Sequence, residues 1–176
     1  MIPNIQELCD CCGGAENQPI LQLFDDKCFR VVDKLETHGE FCLRDFAFPV
    51  DGYSCIGLNV DAGSGETVLF DNEITNPAND LVSEKLYARG IILKVTYPLK
   101  DNDGEEIPLV DKNATLSIQN ASALEETQYP VHSLFMIFTN PKSNKSSDLI
   151  NKIKITNPNS NYKIRVSALV LYGAAI

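Results

Sequence analysis

The residues best suited to chemistry are six cysteines, all in the first third of the 176-residue chain: Cys9, Cys11, Cys12, Cys28, Cys42 and Cys55. Clustered thiolates are what zinc and iron–sulfur sites require. Structural zinc sites usually pair two short Cys or His knuckles, however, and His38 and His132 are isolated in the sequence. The spacing therefore favours packing over metal binding, and we expect no cofactor. Metal binding stays open for Cys9, Cys11, Cys12 and Cys28.

A cysteine nucleophile needs a nearby base and a group that orients this base. His38 is the candidate base for Cys42 or Cys55. Cys55 lies in an alternating apolar pattern and Cys42 has apolar neighbours, and both settings are typical of buried core cysteines. We therefore expect free thiols with a packing role and no enzyme active site.

Two loop sequences resemble ligand-binding motifs without meeting their requirements. Asp101–Glu106 has the acidic character of a calcium loop, but Leu99 occupies the first ligand position, so a solvated hairpin tip is favoured. Gly63-Ser64-Gly65 neither precedes a phosphate-binding helix nor carries a following Lys. The sequence thus predicts neither calcium nor nucleotide binding.

Charge and hydropathy exclude further classes of function. The net charge is −9, and the 15 Lys and Arg residues are scattered along the chain, so no basic surface for nucleic acid is expected. Residues 1–7 lack the basic and apolar regions of a secretory signal, and no apolar run is long enough to cross a bilayer. We expect a soluble protein, made in a cytosol, without nucleic-acid or membrane partners.

Two-residue periodicity dominates the chain and indicates β-strands separated by Gly-, Pro- and Asn-rich turns. The predicted strands are residues 20–24, 27–35, 40–48, 53–61, 67–70, 91–97, 114–119, 131–139, 149–156 and 162–172. This pattern predicts a mainly β fold, a single-domain antiparallel β-sandwich or jelly-roll.

Two short helices interrupt the strand pattern. Residues 3–12 have helical spacing on one face and end at Gly13-Gly14, which predicts an N-terminal arm over residues 1–19 and a β-sandwich domain over residues 20–176. A second short helix is predicted near residues 78–89, because Asn76-Pro77 and Gly90 supply start and stop signals.

The turn Asn157–Asn161 predicts a hairpin between the last two strands. Its apolar residues would face each other on one side, and its basic residues would point to water on the other. The first set is Ile153, Ile155, Ile164 and Val166, and the second is Lys152, Lys154, Lys163 and Arg165.

The C-terminal segment Val166–Ile176 carries no charged residue. Such a segment indicates either a central strand or burial against another subunit, and the sequence leaves both open. Together with the N-terminal arm it defines a predicted partner interface: Ile2, Ile5, Leu8, Leu169, Leu171, Tyr172 and Ile176.

The chain resembles small virion structural proteins of tailed bacteriophages, such as crAss-like phages. The features that carry the resemblance are the Asn-, Ile- and Lys-rich β pattern, the short arm, the Thr-Asn-Pro turns at residues 75–77 and 156–158, and the apolar ending. The resemblance implies a non-enzymatic subunit of a head, neck or tail, with head decoration as one role. It also implies assembly in the host cytoplasm into a homo-oligomer, through contacts with copies of itself and other virion proteins.

Two other functions remain as alternatives. A β-sandwich binding module would recognise carbohydrate or a host protein through its loops, usually with exposed aromatic side chains, but the chain has no Trp and six Tyr. An enzyme with cysteine or metal chemistry would need the amino-terminal cysteines as its reactive groups.

Overall fold

The computed structural model describes residues 21–25, 28–33, 36–45, 50, 52–72, 86–120, 126–139 and 149–174. The strands in these ranges are β1 (Leu21–Asp25), β2 (Cys28–Asp33), β3 (Glu36–Cys42), β4 (Gly52–Val60), β5 (Thr67–Asp71), β6 (Leu86–Thr96), β7 (Thr115–Asn120), β8 (Thr127–Pro130), β9 (Leu134–Phe138), β10 (Ile150–Thr156) and β11 (Ile164–Ala174). Short 3-10 helices cover Leu43–Asp45 and Leu109–Asp111. The prediction of a mainly β, antiparallel, sandwich-like fold is confirmed. None of the helices in these ranges is long and apolar enough to span a membrane.

The strands form three antiparallel layers. The first layer has the order β4-β11-β6-β9, and the second has β5-β10-β7-β8. A single pairing between Ile150 and Ala88 joins these two layers into one eight-stranded sheet. The small sheet, β1-β2-β3, is separate.

The main core lies between the first and second layers. Alternate residues of the central strands β6 and β11 face alternate residues of β7 and β10, as the two-residue period requires. The fully buried members include Ile91, Leu93, Val166, Ala168, Leu116, Ile153 and Ile155. Burial of side chains of this size contributes about 1.5–3 kcal/mol each, which makes this interior the main source of stability.

Aromatic side chains connect the small sheet to the outer face of the first layer. The ring of Phe41 in β3 packs against Phe138 in β9 at 5.2 Å between centroids, and Phe29 in β2 stacks on Phe41 at 5.4 Å. Gly39 lies beside the end of Met136 in the same region. The small sheet therefore contacts the sandwich through β9.

Gly90 allows this aromatic packing to reach the backbone of β6. Phe138 lies directly opposite Gly90, and a Cβ at position 90 would stand 2.4 Å from Cδ1 of that ring. The register between β6 and β11 shifts beside Gly90, so that Arg89 is the additional residue of a β-bulge. Because of the bulge, Ala88 and Ile91 both face the main core.

The predicted helix near residues 78–89 is wrong over its last turn. Leu86–Arg89 belong to β6 and pair with β11. The bulge at Arg89 interrupts the strict alternation of residues between the two faces of the strand, so the two-residue pattern does not predict this part of β6. The rest of that prediction lies outside the described residues, as do the N-terminal helix, Ile2, Ile5, Leu8 and Ile176.

The predicted hairpin between the last two strands is also wrong. β10 pairs with β5 and β7, whereas β11 pairs with β4 and β6. The turn at Asn157–Asn161 crosses from one layer to the other, so Ile153 and Ile164 share the core from opposite layers. On the outer side of β10, Lys154 Nζ forms ion pairs with Glu66 at 2.8 Å and Glu126 at 2.6 Å.

The described part of the C-terminal segment, residues 166–174, belongs to a central strand, which is the first of its two interpretations. β11 lies between β4 and β6, and Leu169 and Leu171 are only 2% and 3% exposed. Tyr172 packs against the main core and stacks with Phe70 at 6.4 Å. The packing of the chain itself occupies these three members of the predicted interface, so they offer little surface to a partner.

The expectation of free thiols is wrong for two cysteines. Cys28 and Cys42 stand opposite each other in β2 and β3 and form a disulfide, with an S–S distance of 2.00 Å. The alternating pattern could not reveal this pair, because it gives the face of a residue and not its register partner. Closing a loop of this size stabilises a fold by about 3 kcal/mol.

Candidate contact surface at the loop end

Three connections meet at one end of the sandwich and form a surface that we call the loop end. They are residues 61–66 between β4 and β5, residues 97–114 between β6 and β7, and residues 157–163 between β10 and β11. The Gly63 amide donates to the Asn159 carbonyl at 2.7 Å, and the Asn102 amide donates to the Asn161 carbonyl at 2.8 Å. The three connections are therefore held together by backbone hydrogen bonds.

Asn157 lies at the centre of the loop end and is fully buried, with 0% exposure. Its Nδ2 donates to the carbonyls of Tyr162 at 2.8 Å and Asp61 at 3.3 Å, and its Oδ1 accepts from the Asn159 amide at 3.3 Å. One side chain thus joins two of the connections and satisfies its own buried polar atoms, as burial of an amide requires.

A second asparagine in the same turn makes the same kind of hydrogen bond through its side-chain oxygen. Asn159 Oδ1 accepts from the Asn161 amide at 2.8 Å, and Asn161 Nδ2 donates to Asp103 Oδ2 at 2.9 Å. The side chains of Asn157 and Asn159 each accept a hydrogen bond from the amide two residues further on, so side-chain oxygens satisfy the backbone amides of this turn. The final hydrogen bond fixes the tip of the 97–114 connection.

That tip is a turn closed by its own hydrogen bonds. Asp101 Oδ1 accepts from the amides of Asp103 at 2.9 Å and Glu105 at 3.0 Å, and Lys100 pairs with Glu106 in an antiparallel bridge. Gly104 has a φ of 82°, a conformation that glycine adopts without strain. The Asp101–Glu106 sequence thus forms a solvated tip, as its turn residues indicated.

Two tyrosines fix the base of the 97–114 connection. The Tyr97 hydroxyl donates to the Val131 carbonyl at 2.5 Å and accepts from the Ala114 amide at 3.1 Å. The Tyr97 ring meets the Tyr162 ring edge to face at 5.7 Å, and the Tyr162 hydroxyl donates to the Asp111 carbonyl. The pKa of Tyr97 is raised to about 12, and burial of the side chain is the largest cause of this increase.

The outer side of this fixed connection is apolar. Leu99 is 91% exposed, Leu109 66% and Val110 81%. Val68 in β5 is the one other large aliphatic side chain that is exposed within the described part of the chain. Residues 100–112 around them include five acidic and two basic side chains. An apolar tip with an acidic rim is suited to contact with another macromolecule.

Two cavities in the described part of the structure are small. One of about 70 Å³ is lined by Asp101, Ile107, Pro108, Asp111, Asn159, Asn161 and Tyr162. Another, of about 130 Å³, lies between the β7–β8 pair and the end of β9. Sites for drug-sized ligands usually enclose about 300–1,000 Å³. The dimensions of these two cavities suit water molecules, so neither supports binding of a metabolite.

The structure does not bring the described candidate residues for chemistry together, and Cys9, Cys11 and Cys12 lie outside the described residues. His38 is exposed on β3, Cys42 is bonded to Cys28, and the side chain of Cys55 lies outside the described set. His132 is exposed, with Nδ1 3.1 Å from the Lys112 carbonyl. Within the described ranges, no three His, Cys, Asp or Glu side chains are grouped so that they could hold a metal ion.

Replacing Tyr97 by phenylalanine should reduce stability by about 1–3 kcal/mol, because the Ala114 amide and the Val131 carbonyl lose their shared partner. Because burial raises the pKa of Tyr97 from 10.0 to about 12, the unfolded state binds fewer protons in that pH range, and the wild-type free energy of unfolding falls across it. The variant should lose less stability between these pH values. Urea unfolding at a series of pH values measures both effects.

Tyr129→Phe is the matched control for this experiment, because it also removes a phenol hydroxyl but leaves the Tyr97 hydrogen bonds intact. Tyr162 and Lys154 also have raised pKa values, so part of the alkaline loss of stability should persist in both variants. Equal alkaline slopes for Tyr97→Phe and Tyr129→Phe would contradict the assignment to Tyr97.

Comparison of the chain with protein-family models, with curated proteins and with solved structures finds no match.

Proposed function

We propose that this chain is a non-enzymatic structural protein of a bacteriophage virion, a component of the head, neck or tail that acts through subunit contacts. It assembles in the host cytoplasm with copies of itself and with other virion proteins. A β-sandwich serves many unrelated functions, so the fold alone does not support this proposal. The support comes from the loop end.

The observation that carries the proposal is the exposed apolar tip made by Leu99, Leu109 and Val110. Covering an aliphatic side chain of this size contributes about 1.5–3 kcal/mol. The hydrogen bonds of Asp101 and Asn161 already fix the connection that carries the tip. Its backbone therefore loses little conformational entropy on binding, which favours its use as a permanent contact.

The charges around the tip indicate the kind of contact. Residues 100–112 carry five acidic and two basic side chains, so two copies that met tip to tip would oppose like charges. The tip suits a different surface on the neighbouring subunit. Such heterologous contacts generate rings or extended arrays, which are the arrangements of virion proteins.

The Cys28–Cys42 disulfide fits a protein that leaves the cell within a particle. Thiols stay reduced in most cytosols, whereas disulfides persist on virion surfaces. The disulfide would then form after release and stabilise the small sheet outside the host.

The alternative of a carbohydrate-binding module has less support. Carbohydrate sites of β-sandwiches usually present aromatic side chains, but the exposed large apolar residues in the described part are all aliphatic. Discovery of glycan binding by the loop end would favour this alternative.

The double variant Leu99→Ser/Val110→Ser tests the proposed contact. We expect the wild-type chain to form a defined oligomer, and we expect the variant to associate about 10–100-fold more weakly, because each 1.4 kcal/mol of lost contact energy is a factor of about ten. Analytical ultracentrifugation over a range of concentrations measures the association.

Val68→Ser is the matched control, since Val68 is also an exposed aliphatic residue but lies in β5. The control should associate like the wild type. A wild-type protein that stays monomeric at every concentration, or a double variant that associates as strongly as the control, would contradict the proposal.

A further inference from the structure

The strand β4 forms a long outer edge of the first layer. Its nine residues pair with β11 in unbroken register, from Gly52 opposite Tyr172 to Val60 opposite Ile164. No other strand among the described residues pairs with it. The other outer strands of the described part are shorter: β3 has seven residues, β1, β5 and β9 have five each, and β8 has four. Among the described strands, β4 therefore offers the longest row of backbone donors and acceptors along an outer edge.

The sequence of β4 lacks the features that usually prevent edge pairing. Proteins commonly protect an edge strand with charged side chains, proline or a bulge. Gly52–Val60 contains no charged residue and no proline, and its pairing with β11 has no bulge. By contrast, β8 ends in Pro130, and the pairing of β5 with β10 is irregular. Gly57 and Asn59 are exposed along β4.

We propose that the outer edge of β4 pairs antiparallel with β4 of a second copy of this chain, across a twofold axis near Ile56. An antiparallel edge is complementary to itself, because each amide and carbonyl meets its counterpart on the identical strand. The first layers of two subunits then form one continuous sheet. The half-buried side chains Ile56 and Leu58, which pack against the core, gain further cover in this arrangement.

The absence of charge along β4 allows a second copy as the occupant. Each chain has a net charge of −9, so a contact between copies is costly wherever it opposes acidic groups. Across the nine residues of β4 no charged side chain opposes another. The acidic loop end, in contrast, disfavours contact with its own copy.

The inference deepens the proposed function and rests on it only for the role of the dimer in a particle. A twofold contact at β4 and a heterologous contact at the loop end would together generate a closed symmetric assembly. The two contacts use different strands and loops, so they can be removed separately.

The test uses the full chain with Leu99→Ser/Val110→Ser, in which the loop-end contact is weakened. This background protein should be a dimer. Adding Gly57→Lys places two lysines close together across the twofold axis, since residue 57 of one copy lies diagonal to residue 57 of the other. The dimer should then dissociate to monomers, with a dissociation constant raised about a hundredfold or more.

Gly57→Asp provides a second variant that also opposes like charges across the axis, in case the long lysine side chain disturbs folding, and Asn102→Lys adds a charge at the exposed tip as a control. Circular dichroism checks the fold, and sedimentation gives the mass. Amide exchange of residues 52–60 should slow as the background protein dimerises. A dimer that persists with a charged side chain at residue 57, or a background protein that is already monomeric, would overturn the inference.

The outcomes separate the two proposals. A wild-type oligomer whose loop-end variant is a monomer supports the proposed function and overturns the β4 pairing. Equal dimers for the wild type and the loop-end variant, dissociated by Gly57→Lys, support the β4 pairing and contradict the role of the loop end.

Discussion

Gly90→Ala is expected to destabilise the fold by about 1–3 kcal/mol or more, the usual range for overpacking of a closely packed site. The new methyl group would stand 2.4 Å from Cδ1 of Phe138 and 3.1 Å from the Ile137 carbonyl oxygen. The Phe138 ring has little room to move, because Phe41 packs against it. Guanidinium unfolding measures the loss, and the contact between the small sheet and β9 should weaken with it.

Gly65→Ala is the matched control for Gly90→Ala. A Cβ at position 65 meets no atom within 4 Å, so this change should leave stability nearly unaltered. Phe138→Leu in the Gly90→Ala background should recover part of the lost stability, since a smaller side chain makes room for the methyl group. Equal stability of Gly90→Ala and Gly65→Ala would show that the Phe138 ring does not lie on the backbone of Gly90.

Asn157→Ala is expected to cost at least about 3 kcal/mol, because each buried donor or acceptor that is left unsatisfied costs about 1–3 kcal/mol. The substitution removes the hydrogen bonds to the Tyr162 and Asp61 carbonyls and from the Asn159 amide. The loop end should also lose order, so its backbone amides should exchange faster. Denaturant unfolding and amide exchange measure the two effects.

Asn102→Ala serves as the control for Asn157→Ala. Asn102 is exposed, and the hydrogen bond it gives to the Asn161 carbonyl comes from its backbone amide, which alanine retains. Its unfolding midpoint should match that of the wild type. If Asn157→Ala unfolded at the same denaturant concentration as this control, the central role of Asn157 in the loop end would be contradicted.

Most strands could be predicted because apolar residues alternate with polar or small residues along them, and the apolar residues lie on the buried face. Ile91, Leu93 and Val95 in β6, and Ile56, Leu58 and Val60 in β4, all contact the main core as their spacing indicated. β8 was missed, since Thr127–Pro130 is short, polar and ends in proline. The beginning of β6 was missed because the bulge at Arg89 interrupts the alternation.

Alternation does not identify the neighbour of a strand, and the errors in topology follow from this. Ile153 and Ile164 face the core whether their strands are paired or lie in opposite layers. The Cys28–Cys42 disulfide depends on the register of β2 and β3, which the spacing of cysteines along the chain does not give. Prediction of these features needs information on pairing between strands.

The loop end had only a weak signal in the sequence. Leu99, Leu109 and Val110 follow no period, and nothing local distinguishes an exposed leucine from a buried one. Pro98 and Pro108 stand beside them in the sequence, and proline is rare inside regular strands. The Asn-rich turn at residues 157–161 was recognised as a turn, but its hydrogen bonds to other connections arise only in the folded chain.

The mass of the native complex, isolated without denaturant and measured by native mass spectrometry, tests the account most directly. A structural protein that acts through the loop end and the β4 edge should have a mass that is a fixed multiple of the chain, as closed symmetry requires. A mass equal to that of one chain, unchanged at the highest concentration, would contradict the account.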